Sequence, residues 1–423
     1  MTATLFPAGY RHYILGVLLA ACTLNFIDRY VLAVLLPDIK REFGLADWQL
    51  GILTGPTFAI FYSVAGLPIA RWADGGQRVR IIGLAIAVWS LMSAAGGIAA
   101  SYWQLLCARI GVAIGEAGCT PPSHSLIGDL YPPRRRATAL AIYQLGPVFG
   151  VSLALLVGGW LADSVGWRRT LIFVGLPGLL LALLVFATLR EPPRGMAEGR
   201  QAAAHPPPMS QALRLLWECR TYRHLVLAIA LVSIASNGVS LWLPSFVHRV
   251  HGLGLTETGR LLSVLVLAGS TLGGLCGGAW AQRAAQRDPR GWVLTPGWLL
   301  LIGVPVSASA FLAPSLGPAI AGIFVLKFTL FVFVAPTNVA AQLLVGLRMR
   351  AFVSAFTLLM VSVIGLGVGP PLVGLGSDLL GARFGDDGLR YSLLASLLFA
   401  LWGAAHYLLA ARTIAADIAR VSD

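Results

Sequence analysis

The chain has 423 residues, of which 57% are hydrophobic and only 12% charged, with a mean hydropathy of +0.78. A soluble protein needs about a quarter of its residues charged to solvate its surface; lipid is therefore the main solvent here, which excludes a soluble enzyme, a nucleic-acid binder and a disordered scaffold. The net charge of +13 has to be read by position rather than as a sum.

A helix crosses the hydrocarbon core with about 20 apolar residues. The first predicted span, 12–36, carries Asn25, Asp28 and Arg29 where a secretory leader would have a small-residue cleavage site, so it reads as a retained helix. Charge-free runs follow at 48–70, 81–108, 137–162, 170–189, 224–248, 261–282, 291–326, 328–347, 351–377 and 391–411. Two of these exceed one crossing. The run 81–108 breaks near 100–102, and 291–326 breaks at 314–318; the pieces beyond become the fourth and tenth helices, each with a charge inside. The count is twelve. The five cysteines show no paired metal spacing and fall mostly in apolar runs, where a thiol behaves as a small hydrophobe.

Of the 31 Lys and Arg, three lie within spans: Arg29, Arg109 and Lys327. The N-terminus, the even-numbered connections and the C-terminal tail hold 20 of the others, and the odd-numbered connections hold 8. By the positive-inside rule both termini are expected in the cytoplasm, and the excess charge is topological. One long connection, 190–223, contains the run Pro206–Pro208 and six arginines. It divides the chain into a six-helix half at 1–189, a cytoplasmic linker at 190–223, a second half at 224–412 and a cytoplasmic tail at 413–423. A short amphipathic helix on the membrane surface is expected near 213–217.

The halves repeat at an offset of about 207 to 215 residues. Gly159, Asp163, Gly166 and Arg168 align with Gly374, Asp378, Gly381 and Arg383. Pro121 aligns with Pro336, Leu36-Pro37 with Leu243-Pro244, and the basic cluster Arg134–Arg136 with Arg348 and Arg350. A duplicated six-helix unit is a transporter architecture, with the substrate held between the halves near mid-membrane.

The five ionisable groups inside predicted helices are Asp28, Arg29, Arg109, Glu116 and Lys327. Each would cost roughly 2.5–3.5 kcal/mol at the centre of an isolated helix, so they must pair or face water. Asn25, Asp28 and Arg29 stand at i, i+3 and i+4 and form one stripe on the first helix. Arg109, Glu116 and Ser123 share a face of the fourth. Lys327 and Asn338 share one on the tenth, and Ser233, Asn237 and Ser240 line the seventh. If the first helix runs outward and the fourth inward, Asp28 and Arg109 lie at one depth and can meet. One reading of these charges is a static lock between the first and fourth helices, although lipid-embedded charge needs a further reason to persist. The alternative is that Asp28 and Glu116 are proton-sensitive carboxylates, whose protonation frees an arginine. Lys327 either meets an anionic group of a substrate, snorkels, or pairs with Glu116 or Asp28.

The chain resembles the major facilitator superfamily. The loop Ala70-x-x-x-Asp74-Gly-Gly-Gln-Arg78-Val-Arg80 is similar to the superfamily's signature after its second helix, with Ala for the first Gly. Gly146-Pro147-x-x-Gly150 resembles part of its antiporter motif. Within the superfamily the likeness is to bacterial Spinster-like proteins. It is carried by Asn25-Phe-Ile-Asp28-Arg29-Tyr, by Leu67-Pro-Ile-Ala-Arg-Trp-Ala-Asp74, and by Arg109-Ile-Gly-Val-Ala-Ile-Gly-Glu116 with Pro121-Pro122 and Arg135-Arg136-Ala-Thr-Ala behind it. The resemblance implies an all-α fold of twelve transmembrane helices in two pseudo-symmetric halves, a cavity lined by helices 1, 4, 7 and 10, and an amphipathic cargo of sphingolipid or lysophospholipid type.

The expected activity is proton-coupled secondary transport by alternating access. Asp28 and Glu116 are the coupling carboxylates, Asn25, Arg29, Arg109, Asn237, Lys327 and Asn338 the cavity residues, and Asp74, Arg78, Arg135 and Arg136 the charges of a cytoplasmic gate. The expected partners are the substrate, protons and membrane lipids, with the chain a monomer in a bacterial inner membrane. No Gly-x-x-x-x-Gly-Lys loop, metal cluster or paired nucleophile and base is found in the sequence, so no cofactor, metal or enzymatic step is expected. The rival readings are a proton-linked carrier of small organic anions or sugars, or a multidrug exporter. A receptor built on the same scaffold would need a sizeable soluble domain.

Overall fold

The computed structural model describes residues 6–196, 216–345 and 349–422, and among these no strand occurs. Twelve membrane-length helices follow one another. They are α1 (Ala8–Phe43), α2 (Asp47–Thr54 continuing as Pro56–Gly75), α3 (Arg78–Gly97) and α4 (Tyr102–Ala117 continuing as Thr120–Leu130). After Pro133–Tyr143 comes the stretch Leu145–Thr188. Its Gly166 has φ 81° and ψ 162°, a backbone that side chains with a Cβ avoid, and this residue divides the stretch into α5 (to 165) and α6 (from 167).

The second set comprises α7 (Arg220–His251), α8 (Leu255–Ala285), α9 (Gly291–Ser307 with Ser309–Leu312) and α10 (Leu316–Thr329 with Val334–Leu343). Helix α11 runs from Arg350–Met360 through a π-helical turn, Val361–Leu366, into Gly367–Phe384. Helix α12 is Asp387–Ala410, and a short α13 (Ile414–Ser422) ends the chain.

Among the described residues, ten stretches are long and apolar enough to cross a membrane by themselves, one of them the 55-residue stretch Arg134–Thr188, which contains Gly166. Helix α4, with Arg109 and Glu116 inside it, makes up the twelve. The interruptions follow local chemistry. Ser101 accepts the Gln104 N–H at the start of α4. Gly44 closes α1 in a left-handed conformation (φ 62°) after Lys40 and Arg41, two cations placed against the negative end of the helix. Leu67, Leu180, Leu275 and Leu398 are each more than 60% exposed, as side chains facing hydrocarbon would be.

Two compact units form. Unit 1 comprises Met1–Leu45, Thr57–Ala204 and Gly254–Ser263; unit 2 comprises Ala46–Pro56, His205–Leu253 and Val264–Asp423. In unit 1, α1 packs on the α5–α6 stretch and α3 packs on both α4 and that stretch. In unit 2, α7, α9 and α11 pack on α12, and Asp47–Thr54 packs on α11. Of the surface helix expected near 213–217, only Leu216 and Trp217 lie within the described residues, where a helical turn begins. The linker segment 197–215 and Arg348 lie outside them.

Candidate functional site

The charges of unit 1 gather on α1 and α4. Arg29 donates to one oxygen of Glu116, Oε2, from both Nη2 (2.6 Å) and Nε (3.0 Å), and its Nη2 also donates to Asn25 Oδ1 at 3.2 Å. Asp28 Oδ1 lies 4.0 Å from Arg109 Nη1. Arg109 Nη2 donates to the backbone carbonyl of Arg29 at 3.1 Å, so the two pairs are tied through one helix. With all four groups ionised the cluster is neutral, the arrangement that makes charge tolerable away from water.

Helix α2 lays aromatic rings under both cations. The Arg29 guanidinium sits 4.5 Å from the Phe58 ring centre, 5.2 Å from Tyr62 and 4.7 Å from Phe26. Arg109 lies 4.7 Å from the same Phe58 ring. Phe58 and Tyr62 are one helical turn apart and stacked. Such faces stabilise desolvated cations by up to about 2 kcal/mol each. Their i, i+4 spacing is present in the sequence, but nothing there marks the two rings as facing a cation.

In unit 2 the buried cation is Lys327. It is 2% exposed and donates to Ser240 Oγ on α7 at 2.7 Å. Asn237 and Asn338 each donate to a carbonyl one turn back in their own helix, Ser233 and Val334, at 3.0 Å. Both are half-buried. Sequence reasoning placed Lys327 and Ser240 on polar stripes without pairing them.

The four residues expected at a cytoplasmic gate separate into different environments. Arg78 is fully buried and is the hub of unit 1's α2–α3 end. It pairs with Asp129 and with Glu191 (2.7 Å), and donates to Ser125 Oγ (2.8 Å) and the Pro192 carbonyl (3.0 Å). Glu191 also accepts the Val79 N–H at 2.9 Å, and Arg194 donates to the Ala73 carbonyl at 2.6 Å. The beginning of the linker is thus fastened to α3 and α4. Arg135 is exposed, Arg136 donates to the Gly128 carbonyl at 2.8 Å, and the side chain of Asp74 lies outside the described residues.

An ion pair in unit 2 is absent from the sequence-based expectations. Arg249 forks onto Asp47 at 2.7 and 2.9 Å, Ser377 donates to the same carboxylate at 2.7 Å, and Asp378 accepts the N–H groups of Asp47 and Trp48 at 3.0 and 2.8 Å. Asp378 therefore caps the first turn of α2.

Buried, mutually compensated charges on helices long enough to span a bilayer mark an intramembrane functional site. Residues 18–370 match the model of the Major Facilitator Superfamily. An MFS-type efflux pump of Mycolicibacterium smegmatis is 33% identical over 411 residues, covering 95% of this chain and 93% of that one. A sphingosine-1-phosphate transporter of Danio rerio is 28% identical over 247 residues, 56% of this chain and 47% of the relative. Among solved structures, a bacterial homologue of the human lysosomal transporter Spinster, inward-facing and unoccupied, superposes with a TM-score of 0.88 at 34% identity. The match covers 97% of this chain and 99% of the homologue. The chain belongs to the Major Facilitator Superfamily, in its Spinster-like branch, and is an integral membrane transporter.

Proposed function

We propose that the protein is a secondary transporter that moves an amphipathic, lipid-like substrate by alternating access, driven by protons through Asp28 and Glu116. The observation that carries this reading is the pairing of two carboxylates with two guanidiniums across α1 and α4, both guanidiniums resting on Phe58. Each pair is stable only while its carboxylate is charged. Protonating Glu116 releases Arg29, and protonating Asp28 releases Arg109, and a released guanidinium is a ready partner for a phosphate or carboxylate headgroup. Lys327, held by a neutral hydroxyl, is a further anion contact in this reading, with Asn237 and Asn338 as polar substrate contacts of unit 2.

The halves 1–189 and 224–412 are the moving bodies, joined by the linker 190–223. Asp74, Arg135 and Arg136 act as cytoplasmic gate charges, with Arg78 anchoring the loop that carries them. In this reading the protein is a monomer in a bacterial inner membrane with both termini cytoplasmic. The likeness to a sphingosine-1-phosphate transporter supports a lipid cargo. A second reading, export of drugs or small organic anions, is favoured by the 33% identity to an efflux pump.

The test is release of a fluorescent lysophospholipid from proteoliposomes, with and without an imposed pH gradient, for the wild type and Asp28→Asn. Gradient-stimulated release that the variant loses is the expected result. No lysophospholipid movement, with a small organic anion crossing instead, would transfer the function to the second reading.

A further inference from the structure

Beside the Asp28–Arg109 pair, in unit 1, lies a half-open pocket of about 20 Å³. Leu32 of α1, Ser93 and Gly96 of α3, Leu105 of α4 and Leu171 of α6 line it beside the two charges. Among the lining residues, four polar atoms are buried without a hydrogen-bond partner: Asp28 Oδ2, Ser93 Oγ, and Nε and Nη1 of Arg109. All three residues are 3% exposed. A cavity of about 10–15 Å³ already accommodates one water, and a water needs two to four polar partners. Both conditions are met here.

We infer that this cavity is a water site that delivers protons to Asp28, with Ser93 as the residue that positions the water. The water gives one proton to Asp28 Oδ2 and receives one from the solvent side, so no group other than the carboxylate changes charge. The inference rests on the proton-coupled reading above and adds a route separate from the face on which Arg29 meets Glu116. The charged groups acting on Asp28 from the surrounding helices are Arg29 on α1 and Arg109 and Glu116 on α4, with Ser93 on α3 lining the same pocket. Leu171 is the cavity's wall from α6.

The route has a direction. Gly96, Leu105 and Leu171 all sit within about two turns of the helix ends around residues 98–101. There Arg168 donates to the carbonyls of Ala99 (2.5 Å) and Gly97 (3.4 Å) and pairs with Glu42 at 2.6 Å. The side chains of that pair are 34% and 43% exposed. A half-exposed ion pair thus lies at the helix ends nearest Gly96 and Leu171 of the pocket.

Gly96 supplies the test. A Cβ added there would lie 3.4 Å from Leu105 Cδ1, 3.4 Å from Leu171 Cδ1 and 3.8 Å from the Ala108 Cβ, all ordinary contacts with the cavity wall. Gly96→Ala therefore fills the site without displacing its walls, and Ala also favours the helix. Expected in a high-resolution structure of the wild type is one solvent peak within hydrogen-bond reach of Asp28 Oδ2, Ser93 Oγ and Arg109, absent in Gly96→Ala. In proteoliposomes Gly96→Ala should slow proton-driven movement of the fluorescent lysophospholipid at least about tenfold, while gradient-free exchange of the same probe persists. Ser93→Ala, which keeps the space and removes one partner, should give a smaller loss.

Proton-driven movement unchanged in Gly96→Ala, or a wild-type cavity with no solvent peak, would overturn the inference. If the wild type moves the probe with no response to a pH gradient, the proton-coupled reading itself fails, and so does the delivery role. The solvent peak then separates that failure from an error about the water site.

Discussion

Arg29 directs two of its nitrogens at a single oxygen of Glu116, at 2.6 and 3.0 Å, and the other oxygen, Oε1, is buried without a hydrogen-bond partner. The carboxylate is therefore held at one corner only. Such a contact is strong while both groups are charged, and little else retains Glu116 once its charge is gone.

Removing one member of that pair should be worse than removing both. Glu116→Ala leaves the Arg29 guanidinium uncompensated and should cost about 3 kcal/mol of stability. The double variant Arg29→Met with Glu116→Leu should recover most of this loss, because apolar residues fill the same space at no desolvation cost. Thermal unfolding of detergent-purified protein, read by tryptophan fluorescence, measures both. Equal destabilisation in the single and double variants would contradict the pairing argument.

Lys327 should show opposite effects on stability and transport. Its ammonium is buried against one neutral hydroxyl, Ser240, so Lys327→Met should raise stability by about 1 kcal/mol. The same change should lower transport of a probe with an anionic headgroup more than that of a neutral one. Comparing two fluorescent lipids of equal chain length gives that ratio.

Arg78 should tolerate no replacement, including a conservative one. Its fork reaches Asp129, Glu191, Ser125 and the Pro192 carbonyl at once. Lys keeps the charge but cannot make this planar set of contacts. Arg78→Lys should cost about 2 kcal/mol and should speed tryptic cleavage at Arg194, whose own contact with the Ala73 carbonyl depends on the same loop.

The C-terminal helix α13 should detach in acid. Burial raises the Asp417 carboxyl, but the hydroxyl of Thr221 at 2.7 Å and its N–H at 3.1 Å more than offset this, leaving it below its ordinary value of 3.8. A carboxyl lowered by folding contributes stability that is complete above its unfolded value and is lost as pH falls through its folded one. Hydrogen-exchange protection over 414–422, taken relative to the intrinsic rate at each pH, should therefore be high at about pH 7 and fall below about pH 4. In Asp417→Asn it should be low at both.

The membrane-spanning helices were legible because one physical signal, about 20 apolar residues between charges, repeats along the chain. The meeting of Asp28 and Arg109 was legible for a related reason: helical spacing fixes the face, and span direction fixes the depth. Arg78 was not. Its partners lie 51 and 113 residues away, and no periodicity connects the start of α3 with the end of α4 and the linker. Asp47 and Arg249 are 202 residues apart and escape for the same reason. The Phe58–Tyr62 platform was obscured by composition, since in so apolar a chain an aromatic that faces a cation looks like one that faces lipid.

The ring of Phe58 is shared by two guanidiniums, at 4.5 and 4.7 Å, each paired with a different carboxylate. One small, chemically silent side chain thus lies in the electric field of the whole cluster. A fluorine atom placed on that ring, with no change in shape or charge, would carry a resonance frequency that responds when either cation leaves. Residue 58 is in this sense a natural listening post, from which the sequence of events at Asp28 and Glu116 can be followed by magnetic resonance during turnover.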